Sequence, residues 1–360
     1  MALVVASPLG RAQRTAAVFG DFETDERWAE IDLGSWDGLT SAEVARRHPD
    51  AAVALSSGDD VTPEGGESTA EFAKRLMSGL DAVVDRLDDG DRALVATHGG
   101  AIHVLVSRIL GLEAPSRLRF PRNTAATTIR VDGKDRRGVS VYNDAAHLNG
   151  RGTAQAPGAT EVLLFRHGET DGNVTQRWQG RSEGMLTETG RRQANELVAV
   201  APDFERLYSS PLSRARETAA VVAERRGLEV AVVDDLMEMD FGSWENLTAD
   251  EAAAQDPVMF NQIFTEGRDL PRGGSGERFE DAGARVADAV AELAAFDGSK
   301  TIAAVGHGGA TRAYVSNVLG LSFADRHSLG SLRNTAMVAV SYGEGGPTLS
   351  AYNVAPHLGG

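Results

Sequence analysis

Short apolar runs alternate with amphipathic stretches through the second half of the chain. Runs at 162–165, 206–209 and 301–305 predict buried strands, and later runs at 336–341 and 349–352 predict strands that close the sheet. Helical periodicity lies between them, at 188–200, 213–226, 248–264 and 278–296, with a last helix that ends at 319. This alternation is typical of an α/β fold, and we expect a three-layer α/β/α sandwich around a mostly parallel, doubly wound sheet.

Two of the predicted strands end directly at a histidine. The run 162–165 continues as Arg166-His167-Gly168, and the run 301–305 continues into His307. Ligands of open α/β sheets bind at the carboxyl ends of the strands, where these side chains are expected. A single histidine in such a place is more often structural than catalytic, so the wider pattern decides between the two interpretations.

The chain contains one set of motifs twice, in the same order. The pairs are Ser-Pro-Leu-x-Arg-Ala at 7–12 and 210–215, Glu-x-Asp-x-Gly-Ser-Trp at 30–36 and 238–244, His-Gly-Gly-Ala at 98–101 and 307–310, Arg-Asn-Thr-Ala at 122–125 and 333–336, and Tyr-Asn…His-Leu at 142–148 and 352–358. We infer a tandem duplication. The predicted parts are a first repeat at 1–150, a small, polar linker at 151–158 and a second repeat at 159–360.

Composition restricts the partners. The formal net charge of −16 argues against nucleic acid or an acidic membrane surface as the main partner, although clustered arginines could still hold a small phosphorylated molecule. The chain has no cysteine, which excludes disulfides and thiolate metal sites. The first residues lack the basic region and the long apolar run of a signal or membrane segment, so a cytoplasmic protein is expected.

The sequence lacks the motifs of several other classes of enzyme. The chain contains no Gly-x-x-x-x-Gly-Lys-Ser/Thr loop for nucleotides, no His-Glu-x-x-His for zinc and no Gly-x-Ser-x-Gly nucleophile turn. The histidines also have no carboxylates at the spacing of metal ligands. We therefore expect neither a metal nor a cofactor.

The second repeat resembles the histidine phosphatase (phosphoglycerate mutase-like) superfamily. The motifs that carry the resemblance are Arg-His-Gly-Glu-Thr at 166–170, Arg-Trp-Gln-Gly at 177–180, Leu-Thr-x-x-Gly at 186–190, Ser-Pro-Leu-x-Arg-Ala at 210–215 and His-Gly-Gly at 307–309. They cover essentially all of 161–360. The segment 238–244 looks most like the broad-specificity and α-ribazole phosphatase branch.

The resemblance implies a set of catalytic residues, and their chemistry suits a phosphomonoester. Arginine forks match phosphate oxygens bidentately. A neutral histidine can attack phosphorus and form a phosphohistidine, a second, protonated histidine can hold an equatorial oxygen, and a carboxyl group can protonate the leaving alkoxide. By resemblance, Arg166 and Arg214 would bind the phosphate oxygens and His167 would be the nucleophile. His307 would hold the equatorial oxygen, and Glu238 would protonate the leaving group. By resemblance alone, the substrate contacts are Asn173, Gln179, Gly180 and Gly308.

Hydrolysis and mutase-type phosphoryl transfer remain alternatives. A mutase must seat a second anion near the acid, but the residues that follow Glu238 include Asp240, Glu245 and Glu251, which repel one. Arg268 and Arg272 could partly compensate. We therefore expect a metal-independent phosphomonoesterase that acts on a small phosphorylated metabolite.

The first repeat has no counterpart of 163–201 and therefore has no nucleophile. It keeps Arg11 for Arg214, Glu30 for Glu238 and His98 for His307. Because the family resemblance makes the missing strand central, Leu3–Ala6 and 94–96 are expected to lack a neighbour. Either the natural protein begins upstream, or the first repeat is a degenerate module that packs on the second repeat or forms a homodimer.

Overall fold

The computed structural model describes residues 1–56, 60–112, 117–133, 136–148, 158–296, 298 and 300–358. They form two compact units, Met1–Pro115 with Gly133–Asp135 and Ser116–Asp132 with Arg136–Gly360. The units differ from the repeats, because the last strands of the first repeat belong to the second unit. The predicted linker lies outside the described residues except for Gly158, so the repeat boundaries stay a prediction.

The first unit contains a three-stranded parallel sheet in the order β2-β1-β3. Its strands are β1 (Leu3–Ala6), β2 (Glu23–Thr24) and β3 (Ala93–Ala96), and its helices are α1 (Gly10–Ala16), α2 (Ser41–Arg47), α3 (Pro49–Ser56), α4 (Thr69–Val84) and α5 (Gly99–Leu110). The expectation that β1 and β3 lack a neighbour is wrong. The two strands pair with each other in parallel; β1 is the central strand of this sheet, and β3 lies at one of its edges.

The second unit contains an eight-stranded sheet in the order β4-β5-β11-β10-β6-β9-β7-β8. Its strands are β4 (Ala126–Asp132), β5 (Arg136–Asp144), β6 (Thr160–Arg166), β7 (Arg206–Ser209), β8 (Val230–Val232), β9 (Thr301–Gly306), β10 (Met337–Gly343) and β11 (Gly346–Val354). The four strands β6, β9, β7 and β8 run parallel, whereas β10 and β11 are antiparallel additions. The predicted α/β fold class is confirmed.

The long helices of the second unit begin and end close to the predicted residues, and the short helix α6 was not predicted. They are α6 (Asp171–Val174), α7 (Glu188–Val200), α8 (Ser213–Arg226), α9 (Ala249–Gln255), α10 (Pro257–Phe264), α11 (Phe279–Ala295) and α12 (Gly308–Leu319). Thr187 caps α7 by accepting a hydrogen bond from the Gly190 amide, as expected for a threonine at this position. The region predicted as one variable helix divides at Asp256, whose side chain caps α10 ahead of Pro257.

Strand β6 lies at the centre of the sheet and positions the histidine that follows it. All four residues of its apolar run, 162–165, are at most 2% exposed, because β10 and β9 cover both edges and both faces are packed. The register places Arg166 opposite Gly306, the last residue of β9. The residues that follow β6 and β9 therefore emerge side by side.

Candidate active site

The two predicted histidines meet at the carboxyl ends of β6 and β9. The rings of His167 and His307 have centroids 5.2 Å apart, and both side chains are buried. The His167 amide donates to the carbonyl oxygen of Gly306 over 3.0 Å, which fixes the backbone directly after the strand. The structure thus brings these two predicted site residues next to each other.

The side chain of His167 is held as a neutral ring with one nitrogen available. Its Nδ1 lies 2.7 Å from the carbonyl oxygen of Gly168. Because a carbonyl oxygen only accepts, Nδ1 carries the proton and Nε2 keeps its lone pair. Burial, reinforced by the charges of Arg166 and Arg214, holds the pKa of His167 well below its usual range.

His307 is fully buried beside a serine hydroxyl. Its Nε2 lies 2.8 Å from Oγ of Ser210, while its Nδ1 has no hydrogen-bond partner among the described residues. Burial and then the charge of Arg214 lower the pKa of His307 well below its usual range. Both effects favour the neutral ring, and the protonated form expected from the sequence requires a bound anion that offsets the arginines.

Two arginines reach the same region from β6 and α8. Arg166 donates from Nη1 to the carbonyl oxygen of Leu332 over 2.6 Å. Arg214, only 1% exposed, donates to the carbonyl oxygens of Ser182 and Gly180 over 2.8 and 2.7 Å. The Nε atoms of both arginines are buried and have no partner in the described part of the chain, so donors remain for an anion.

Glu238 is held at the amino terminus of α12. Its Oε1 accepts from the amides of Met239 and Ala310 over 2.8 and 2.6 Å, and its Oε2 accepts from the amide of Gly309 over 3.0 Å. A Cβ on Gly309 would lie 2.8 Å from Oε1 of Glu238, so a larger residue would displace the carboxylate. Three amide donors and the helix dipole thus fix this group.

The predicted substrate contacts surround the same strand end. The Oδ1 atom of Asn173 accepts from the Thr170 amide, and Oε1 of Gln179 accepts from the Thr170 hydroxyl. Gly180 has a φ of 51° and offers its carbonyl oxygen to Arg214. A Cβ on Gly308 would lie 3.2 Å from Nε of Arg166, so that glycine leaves room for the guanidinium.

Sequence reasoning missed Asn334. Its Nδ2 donates to the carbonyl oxygen of His167 over 3.0 Å and to Oδ1 of Asn173 over 2.9 Å. The next residue, Thr335, donates its amide to the carbonyl oxygen of Arg166 over 3.0 Å. The repeated Arg-Asn-Thr-Ala motif is the signal that could have pointed to this bracket around the nucleophile.

Part of the same arrangement recurs in the first unit. The Nε2 atom of His98 lies 2.7 Å from Oγ of Ser7, and Nδ1 accepts from Nε of Arg11 over 3.1 Å. The Gly100 amide donates to Oε2 of Glu30 over 3.3 Å. The His98–Ser7 and Gly100–Glu30 contacts repeat the geometry around His307, Ser210 and Glu238, whereas the Arg11–His98 bond has no counterpart there. The first repeat has no residue equivalent to His167.

The described residues contain neither a membrane-spanning helix nor a metal-binding cluster. In the part of the chain that the structure describes, no helix is long and apolar enough to cross a membrane. Over those same residues, no three His, Asp or Glu side chains are grouped as they would be around a metal ion.

The family model of the histidine phosphatase superfamily (branch 1) matches the chain in two regions, residues 1–145 and 162–355. The protein belongs to the histidine phosphatase superfamily. The two matched regions correspond to the two repeats and support the tandem duplication. The first region contains no equivalent of β6.

Each of the following relatives aligns with about half of this chain. A bifunctional protein of Mycobacterium tuberculosis is 37% identical over 46% of this chain and 48% of its own, so the chain spans about half the length of that relative. The metal-independent phosphoserine phosphatase of Arabidopsis thaliana is 35% identical over 50% of this chain and 76% of its own. Among solved structures, the phosphoserine phosphatase of Entamoeba histolytica in complex with 3-phosphoglyceric acid is 29% identical, with a TM-score of 0.51 over 55% of this chain and 99% of its own.

Proposed function

We propose that this protein hydrolyses small phosphomonoesters through a phosphohistidine on His167. The observation that carries the proposal is the state of that residue: a buried, neutral ring whose Nδ1 is occupied by Gly168 and whose Nε2 is available. Arg166 and Arg214 act electrostatically on this ring and His307 lies beside it, and each has a buried nitrogen without a partner among the described residues that could serve a phosphoryl dianion. Positioning and charge stabilisation of this kind are the main requirements of phosphoryl transfer.

In the first step, Nε2 of His167 attacks phosphorus. The new P–N bond forms as the bond from phosphorus to the leaving oxygen breaks, and Glu238 gives its proton to the departing alkoxide. The guanidinium groups of Arg166 and Arg214 hold the equatorial oxygens. His307, protonated in the presence of the dianion, donates to the same phosphoryl group.

In the second step, water replaces the ring. Glu238, now a carboxylate, takes a proton from the water as its oxygen attacks phosphorus, and the P–N bond breaks. Inorganic phosphate leaves, His167 is again neutral and Glu238 is again protonated. The cycle needs no group from outside the chain, and we therefore propose a metal-independent reaction.

Hydrolysis is favoured over mutase-type transfer by the pairing of nearby cations. Arg272 is 2% exposed, lies 3.2 Å from Asp269 and also donates to the carbonyl oxygen of Leu270. Arg181 lies 3.4 Å from Glu277 and 4.0 Å from Asp240. Because these two arginines are already paired with carboxylates, neither provides a strong binding site for a second phosphate or carboxylate group of the substrate.

A substrate panel tests the proposed activity. We expect hydrolysis of p-nitrophenyl phosphate without added metal, unaffected by EDTA and inhibited by vanadate. Phosphoserine, 3-phosphoglycerate and α-ribazole phosphate should then be ranked by kcat/KM, since relatives are named for phosphoserine and one is solved with 3-phosphoglyceric acid. Release of no phosphate from any member, by a folded protein, would refute the proposal.

Replacing Asn334 by Ala should lower kcat by about 10-fold to 100-fold, because the His167 carbonyl loses the donor that holds the turn. We expect KM to change less than kcat, since Asn334 holds the nucleophile and leaves phosphate binding to the arginines. The matched control is Asn123→Ala, which removes the same residue of the same motif in the first repeat. Equal loss of kcat in both variants would show a general effect on folding.

A further inference from the structure

The sheet of the second unit joins the two repeats through equivalent residues. Strand β5 of the first repeat pairs antiparallel with β11 of the second, and Tyr142 lies directly opposite Tyr352. These tyrosines occupy the same place in the repeated Tyr-Asn…His-Leu motif. An antiparallel pair in which a residue faces its own counterpart has a local twofold axis through that pair.

The asparagines that follow these tyrosines make the same contact in both directions. The Nδ2 atom of Asn143 donates to the carbonyl oxygen of Ser350 over 2.6 Å, and Nδ2 of Asn353 donates to the carbonyl oxygen of Ser140 over 2.8 Å. Both asparagines have a left-handed φ, 56° and 57°. Ser140 and Ser350 are again counterparts in the two repeats.

Backbone contacts beside the strands are reciprocal as well. The Arg119 amide donates to the carbonyl oxygen of Leu349 over 2.9 Å, and the Gly330 amide donates to the carbonyl oxygen of Val139 over 2.9 Å. Arg119 corresponds to Gly330, and Val139 to Leu349. Reciprocal contacts of this kind are those of an isologous interface, the type that joins two identical subunits.

We infer that the edge of β11 is a self-complementary docking surface whose partner is a second copy of the same repeat. In this chain the hairpin of β4 and β5 supplies that copy covalently. When the hairpin is displaced, the free β11 edge pairs with β11 of another chain. The first repeat thus acts as a built-in partner that keeps the second repeat from self-association.

One contact breaks the symmetry and favours the partner within the chain. Arg119 lies 3.6 Å from the carboxylate of Glu161, which is fully buried in β6. Burial raises the pKa of Glu161, and Arg119 opposes that effect. In a pair of two β11 edges, glycine would stand in place of Arg119, so each Glu161 would lose its cation. Covalent linkage adds a high effective concentration of the hairpin.

The test uses the full chain with a weakened hairpin. Arg119→Gly introduces, just ahead of the hairpin, the residue that the second repeat has at the equivalent position, and Asn143→Asp removes the donor to Ser350. We expect the Arg119→Gly, Asn143→Asp double variant to show twice the wild-type mass by light scattering, with faster hydrogen exchange in β5. Adding Asn353→Asp should restore the wild-type mass, because the β11 edge then loses its own donor.

Two outcomes would overturn the inference. One is a released β5 with an unchanged mass, which would show that β11 does not pair with itself. The other is a β5 as protected as in the wild type, which would show that the reciprocal contacts do not hold the hairpin. Turnover of p-nitrophenyl phosphate reports that the second repeat stays folded. Should the double variant precipitate, Arg119→Gly alone gives the same comparison, with a mass that rises with protein concentration.

Discussion

His167→Ala should lower the turnover of p-nitrophenyl phosphate by about 10³-fold to 10⁶-fold, the range seen when a covalent nucleophile is removed. The substitution removes the only available Nε2 at the end of β6, and no residue of the first repeat can replace it, since that repeat has no equivalent strand. Arg166, Arg214 and His307 stay in place, so the variant should still bind vanadate or phosphate weakly.

The control for this variant is His98→Ala. It removes a buried histidine whose ring contacts a serine hydroxyl and an arginine, in the unit that lacks a nucleophile. We expect turnover per chain within about twofold of the wild type, since His98 belongs to the unit without a nucleophile and touches none of the residues proposed to act on the substrate. Full activity in His167→Ala, or a matching loss in His98→Ala, would contradict the assignment of the site to the second repeat.

Arg214→Ala should lower kcat/KM by about 10²-fold to 10⁴-fold, because a buried guanidinium that faces a phosphoryl dianion stabilises the transition state by several kcal/mol. Arg214 also holds the carbonyl oxygens of Gly180 and Ser182, so its loss loosens the loop beside the substrate. Arg214→Lys should recover little, since an ammonium group cannot reproduce the fork.

The matched variant is Arg11→Ala, at the equivalent position of the first repeat. Arg11 donates to Nδ1 of His98 and lies in the unit without a nucleophile, so its removal should leave kcat/KM unchanged. Steady-state kinetics on the four proteins, with thermal unfolding measured in parallel, separates a loss of catalysis from a loss of fold. An Arg11→Ala protein as impaired as Arg214→Ala would contradict a single site in the second repeat.

Local pattern was sufficient to predict the elements and the meeting of the histidines. The apolar run 162–165 is hydrophobic at every position because β6 is covered on both edges, which is what a central parallel strand requires. Since parallel strands end at one side of a sheet, two strands that each end in a histidine bring His167 and His307 together. Comparison of the two repeats then distinguished His167, which has no counterpart in the first repeat, from His307, whose counterpart is His98.

The pairing partners were beyond local pattern. The apolar pattern of a short strand indicates that the strand is buried but not which strand pairs with it. The expectation that β1 and β3 lack a neighbour is wrong for this reason, since the two strands pair with each other. The docking of β5 on β11 depends on a register between residues over two hundred positions apart. The role of Asn334 depends on a turn that approaches His167 from another strand, which spacing along the chain does not encode.

We claim that each chain holds one competent phosphoryl-transfer site, although it carries two repeats. The most direct measurement is to mix the enzyme with excess p-nitrophenyl phosphate, quench within milliseconds under denaturing alkaline conditions that preserve phosphohistidine, and count phosphoryl groups by mass spectrometry. We expect at most one group per chain, located on His167 and absent from His167→Ala. Two groups per chain, or a group on any other residue, would contradict the claim.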